Sequence, residues 1–354
     1  MTADIGTGTI IGMDGHLRTC DLCGMDRGGT VIRRFRDLPT KIEALKKAIA
    51  VFPAPVTLVI EESAMAQWFV EQLTPLVDRI VAADPKRNRL IAEADTKSDP
   101  VDAHKLAELF RIGAVVEVYH STDPGRVAFR RTVQQYESIV HEIVKMKNRV
   151  RKSYNQYGID PSATQIYHPQ RRDGAMEALP DVARVRLRSW YRVLDELVAA
   201  RKEILSHINK MSRTFEEVGR FRTVPGIGIL TACEFSAYIQ TPDRFQHKSQ
   251  LCSYGRLGVV DRSSAGKQLG RRHLSRQGLG VLKSATRRAF IGAMKRNSGK
   301  NAIVQYYLDL LKRNLNPVHA RLTTQRKILT TVWAMWKRKE AFDPVRFLTH
   351  TQRV

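Results

Sequence analysis

Apolar residues in the first third of the chain alternate between short runs and helical spacings. Thr9-Ile10-Ile11-Gly12-Met13-Asp14 reads as a short buried strand that ends on a carboxylate. Leu17 to Gly24 and Thr30 to Phe35 read as two further strands, with Asp26-Arg27-Gly28-Gly29 as the turn between them. Pro39 to Phe52 carries Ile42, Leu45, Ala48 and Ile49 at helical spacing. Val56-Thr57-Leu58-Val59-Ile60-Glu61 is a second buried strand ending on an acid, Ala66 to Leu73 a helix, and Arg79 to Ala83 a third core strand. Asp99 to Ile112 closes the series as a helix, with Ala103, Leu106, Leu109 and Phe110 on its apolar stripe. Strand-strand-strand-helix-strand-helix-strand-helix describes an α/β sheet begun by an antiparallel meander.

The pattern changes at Arg126. Phe129, Val133, Tyr136, Val140, Ile143 and Val150 keep near a heptad rhythm. After a Pro- and polar-rich break around Pro161 to Pro180, Leu187, Trp190, Leu194, Leu197, Ile204, Ile208 and Met211 continue with spacings of three and four. This seam can close on the first helix within one chain or on a second chain. The resulting division is 1–125 (α/β), 126–215 (helical, coiled-coil) and 216–354 (mostly helical).

Charge narrows the function classes. Lys plus Arg is 59 against 35 Asp plus Glu, a formal net charge of +24 over 354 residues. A surplus that large points to a polyanionic partner, nucleic acid first. Lys145, Lys147, Arg149, Arg151, Lys152, Arg184, Arg186 and Arg188 on the long helices are mostly a solvated face, some of it for phosphates. No apolar run approaches a membrane span, and the start of the chain lacks the pattern of a signal peptide. Four cysteines fit a reducing, cytoplasmic setting, and Cys20-Asp21-Leu22-Cys23 reads as strand rather than as a metal motif.

Four acids stand out against this basic background. Asp14 and Glu61 end two buried strands, where α/β sheets place their sites. Asp99 and Asp102, three apart at a helix start, share a face. One reading is a capping box on the helix N-terminus, with Pro100 at the first helical position. The other is a cluster whose mutual repulsion needs cations, a two-metal phosphodiester site holding Mg2+ or Mn2+. Alternation along the strand turns Glu62, the neighbouring acid, to the opposite face.

Two further stretches bear on nucleic acid. Val224-Pro225-Gly226-Ile227-Gly228 before a helical Ile229 to Tyr238 suits a helix-hairpin-helix module, with Gly226 and Gly228 presenting N–H groups to a phosphate. The loop from Leu257 to Lys267 carries Ser263-Ser264-Ala265-Gly266 among Arg262, Lys267, Arg271 and Arg272. Its serine is either a turn residue beside DNA-holding cations or a nucleophile toward a phosphodiester.

Ile11-Gly12-Met13-Asp14, Ile60-Glu61-Glu62-Ser63, Asp99-Pro100-Val101-Asp102-Ala103, Val224 to Gly228 and Arg262 to Lys267 occur in this order. Together they resemble the DEDD transposases of the insertion-sequence one-ten family, which includes the Piv-type DNA invertases. The resemblance implies a RuvC-like, RNase H-fold nuclease domain, a helical region, and a transposase domain with a catalytic serine. By position Asp14, Glu61, Asp99 and Asp102 match the metal-binding set and Ser264 the nucleophile. Ala265 stands where the family usually has glycine, and Glu62-Ser63-Ala64 where it has Ala-Thr-Gly. The resemblance further implies a structured bridge RNA that pairs with donor and target DNA. It also implies a homo-dimer or tetramer with a composite site, for which the heptad helices offer the natural contact, and residence at the bacterial nucleoid.

The expected function is therefore a bridge-RNA-guided DNA recombinase that moves its own insertion sequence through a phosphoseryl intermediate. Two rivals use the same residues differently. A resolvase-like hydrolytic nuclease would need the four acids and water alone, and a non-catalytic nucleic-acid-binding protein would need only the PGIG turn and the basic helices.

Overall fold

The computed structural model describes residues 8–85, 99–260, 263–264, 267–268, 273–275, 277–296 and 301–349; for 99–101, 263–264, 267–268 and 296 it describes the backbone alone. The chain forms two compact units, Met1–Val127 and Ala128–Val354.

The first unit is built on a six-stranded mixed sheet. β1 (Thr9–Gly15), β2 (Thr19–Met25) and β3 (Val31–Pro39) make the antiparallel meander. Helix α1 (Ile42–Ile49) leads to β4 (Val56–Glu61), parallel to β1, and α2 (Ala66–Leu73) leads to β5 (Arg79–Ala83), parallel to β4. β6 (Glu117–Val118) pairs antiparallel with β5 and completes the order β3-β2-β1-β4-β5-β6. Two residues cannot display an alternation, so β6 left no pattern in the sequence.

Alternation divides β1 between two cores. Ile11 and Met13 join Leu22, Leu58 and the inward faces of α1 and α2. Ile10 joins Val59, Ala83, Leu106 and Ala107 beneath α3 (Asp99–Arg111). Gly12 lies on the α3 side. A Cβ there would stand 2.0 Å from the Ala103 carbonyl oxygen and 2.8 Å from the Ala107 nitrogen. The missing side chain is what lets the backbone of α3 rest directly on β1.

In the second unit α4 (Pro124–Asn155) and α5 (Asp181–Met211) carry the heptad positions. Ile143, Met146, Val150 and Tyr154 of α4 pack with Ala183, Leu187, Tyr191 and Leu194 of α5. Two short helices, Ala163–Tyr167 and Arg172–Met176, close the end of this hairpin with Ile166 and Met176. Phe129 and Val133 of α4 and Ile208 of α5 enter the larger core of the unit. The seam is therefore filled within the chain. Leu187 and Leu194 are 0% and 1% exposed there.

The larger core is helical. It gathers α6 (Glu216–Phe221), α7 (Ile229–Ile239), α8 (Lys248–Tyr254), α9 (Gly280–Arg296), α10 (Ala302–Lys312), α11 (Pro317–Arg338) and α12 (Pro344–Thr349). Every residue of α7 from Thr231 to Ile239 is buried, as befits a helix surrounded by others. Two short ladders are nested in sequence: β7 (Val259–Val260) pairs with β10 (His273–Leu274), and between them β8 (Ser263–Ser264) pairs with β9 (Lys267–Gln268). Among the described residues no helix is long and apolar enough to cross a membrane.

Candidate functional site

β1 and β4 run parallel with Met13 opposite Ile60, so Asp14 and Glu61, one residue further on each strand, emerge at the same edge. Alternation gives Asp14 the face of Ile10 and Gly12, and Glu61 the face of Val59; α3 covers that face. Asp102 sits on α3 one turn before the inward-facing Leu106. Asp14 is 8% exposed. The Glu61 carboxyl is raised above the usual carboxylate range, by loss of hydration first and then by the charges of Asp14 and Asp102, with His16 opposing. Two of the other three expected acids, Asp14 and Asp102, thus act on Glu61. Asp99 opens α3, but its side chain lies outside the described residues.

Two neighbours of this cluster, His16 and Asp21, join the site without a signal of their own in the sequence. His16 Nε2 stands 3.3 Å from Asp14 Oδ2, at the exposed mouth of the site. Asp21 lies directly opposite Asp14 on β2 and is equally buried, but its Oδ1 accepts the Asp37 N–H at 2.8 Å where the meander is irregular. Asp21 therefore has structural work of its own. Glu62 turns away from the cluster. Its carboxylate meets His120 Nε2 at 2.5 Å, and His120 Nδ1 meets the Gln67 amide oxygen at 2.9 Å. That chain ties the end of β4 to α2 and to the segment after β6.

The donor chemistry of Asp14, Glu61 and Asp102 fits a hard divalent cation. All are carboxylates, and their mutual repulsion is what a cation relieves. Among the described residues, no three His, Cys, Asp or Glu side chains are drawn close enough to hold one ion. Cys20 and Cys23 are buried, free thiols in β2, both raised by burial, which makes them packing residues.

Ser264 falls in β8, not in an open loop: its backbone pairs with Lys267, and that of Ser263 with Gln268. The ladder sets Ser264 and Lys267 opposite one another; the two residues between them, like Arg262, Arg271 and Arg272, lie outside the described set. Gly226 has a φ of +85°, and a Cβ on it would stand 2.1 Å from the Ala289 carbonyl oxygen. The PGIG turn is thus pressed onto α9, while Gly228 opens α7 with free space at its Cβ position. Several cations of the long helices are engaged locally: Arg151 with Asp160, Arg184 with Asp181, and Arg149 over the Trp190 ring.

Two family models match the chain. One, of the DEDD type and described as a transposase, covers residues 11–159, and the other, described as transposase IS116/IS110/IS902 family, covers residues 218–307. The first contains the acid cluster and the second the PGIG turn and the serine ladder. No curated protein matches.

Proposed function

The chain belongs to the IS110 family of DEDD transposases, and from that premise we propose that it is the site-specific recombinase of its own insertion sequence, cutting and rejoining DNA through a serine. The observation that carries the reading is that Asp14 and Glu61 emerge at one sheet edge beneath the helix that carries Asp102. We read the first unit as an RNase H-like, RuvC-like nuclease core, supported by its meander followed by two parallel strands.

Asp14, Glu61, Asp99 and Asp102 would hold Mg2+ or Mn2+, which when bound supplies charge stabilisation to the phosphoryl oxygens. Gly12 sets how near α3 brings its aspartates to Asp14. Ser264 attacks the phosphorus as the bond to one DNA oxygen breaks. The serine proton ends on the departing DNA hydroxyl, leaving a phosphoseryl ester. Attack on that ester by another DNA hydroxyl restores the serine and makes a new phosphodiester, so no external energy source is required. Lys267, Arg262, Arg271 and Arg272 flank the serine as phosphate-binding cations. Gly226 and Gly228 form the hairpin of a helix-hairpin-helix contact in which the N-terminus of α7 meets a phosphate. A bridge RNA selects donor and target DNA, and a dimer or tetramer completes the site with a serine domain from a second protomer.

The test is cleavage of element-end DNA by Asp14→Asn and Asp102→Asn. Both should bind DNA like the parent, lose cleavage, and lose the thermal stabilisation that Mg2+ or Mn2+ gives the parent. Cleavage at the parental rate by either variant would overturn the metal-site assignment. Addition of the element's own non-coding RNA should confine cutting to complementary sites; unchanged site choice without it would remove the RNA from the account.

A further inference from the structure

The second unit also holds a cleft of about 1380 Å³ that includes none of the residues named so far as acids, serine or hairpin. It is larger than the roughly 300–1,000 Å³ of a pocket that encloses a small molecule. Lys248 comes from the start of α8, Arg313 from just past α10, and Arg326, Lys327 and Arg338 from α11. Two buried groups show how these cations cluster. Arg313 and Arg326 both act on the Tyr306 hydroxyl, and Arg326 and Lys248 both act on the Cys252 thiol. Lys327 Nζ lies 4.1 Å from the centre of the Tyr306 ring and 5.0 Å from that of Phe347. Burial draws its ammonium pKa down to about 8.

Acids do not balance this wall. The acidic residues among the described lining are Glu340 and Asp343, and both face Arg346, at 2.5 Å and 4.0 Å. Cations brought together from three helices repel one another, and a bound anion relieves that repulsion. Hydroxyls of Ser249, Thr323 and Thr331 add neutral polar groups along the same walls. Trp333 lines the cleft half-buried, its Nε1 donating to the Pro242 carbonyl at 2.8 Å.

We propose that this cleft seats a single-stranded stretch of nucleic acid, its phosphodiesters on Arg313, Arg326 and Arg338 and an unstacked base at Trp333. A single strand fits because its backbone can enter a cleft between helices and its bases are free to meet an aromatic wall. The choice of a phosphodiester rests on the proposed function. RNA and DNA share that chemistry, and the experiment separates them.

The full chain is titrated, in EDTA, into fluorescent 20-mers of single-stranded RNA, single-stranded DNA and duplex DNA across a salt series. Arg313 and Arg338 are exposed, so Arg313→Gln with Arg338→Gln leaves the core intact, which thermal melting verifies. Lys202→Gln with Lys210→Gln, both exposed on α5, is the charge-matched control. Loss of two phosphate contacts should lower the salt slope for one or both single strands by about 1.4 and weaken binding roughly 25-fold at 0.1 M salt. Duplex binding, and all binding by the control, should change by less than about threefold. Whichever single strand loses affinity identifies the occupant. A loss no larger than the control's, or an equal loss for duplex, overturns the cleft. A parent protein that binds none of the three overturns the nucleic-acid reading itself, an outcome distinct from failure of the cleft.

Discussion

Gly12→Ala tests the contact on which the acid cluster depends. The new Cβ would lie 2.0 Å from the Ala103 carbonyl oxygen, where ordinary contact begins at 3.4 Å, so α3 must retreat by about 1.4 Å along that line. The obstacle is helix backbone, so no rotamer change relieves it. Overpacking of this kind costs roughly 1–3 kcal/mol, and more where backbone is the obstacle. The chemical effect is larger than the thermodynamic one. α3 carries Asp99 and Asp102, and a displacement near 1 Å at a reacting centre costs on the order of a hundredfold in rate. The expected variant is folded, melts several degrees lower, binds DNA like the parent and cleaves about a hundredfold more slowly. Gly219→Ala in α6, where an added Cβ meets nothing within 4 Å, is the control and should be neutral or slightly stabilising. Parental melting and parental cleavage by Gly12→Ala would refute the argument that Gly12 seats α3 against β1.

Two other predictions concern the second unit. Glu234, buried on α7 and paired with Arg288, has its pKa pushed up to about 7, by burial first and by Glu137 also. Between pH 4.5 and 7 the folded state keeps a proton that the unfolded state has lost, so stability falls as pH rises through that window and levels off above it. Relative to Glu234→Gln, the parent should lose about 3 kcal/mol between pH 4 and pH 8 in urea unfolding, and a difference independent of pH would contradict the burial. Leu194→Ala should destabilise the α4–α5 hairpin by about 2–5 kcal/mol with no change in sedimentation mass, whereas a fall in mass with stability unchanged would put the seam between protomers.

The parts of the fold that were legible in the sequence are those with a period. β4, α2 and β5 begin and end where their apolar runs do, because each is long enough to show alternation or helical spacing against polar flanks. α1 is shorter than its apolar stretch, beginning at Ile42 rather than Pro39, since Pro39 ends β3 opposite Thr19. The heptads on α4 and α5 identified a seam but not its partner, because spacing is the same whether the facing helix is in the same chain or another. Asp14 and Glu61 could be paired from sequence because parallel strands bring their ends together. His16 sits two residues from Asp14 and could have been found by the same logic. Asp21 needed the register of β2, and the basic cleft needed α8, α10, α11 and α12 folded together, with no local pattern linking Lys248 to Arg338. Ser264 reads as loop in the sequence because two-residue strands carry no alternation.

The central claim is that a serine of this chain becomes covalently joined to DNA. Parent protein, Mg2+ and a nicked element-end substrate that traps the intermediate are denatured, and the DNA-linked peptide is identified by mass spectrometry. The expected result is an adduct on Ser264 that Ser264→Ala abolishes while nucleic-acid binding persists. An adduct on Ser263 would move the nucleophile one position along β8. Undiminished cleavage by Ser263→Ala with Ser264→Ala, with water-derived oxygen at the cut, would contradict the claim and leave a hydrolytic nuclease in its place.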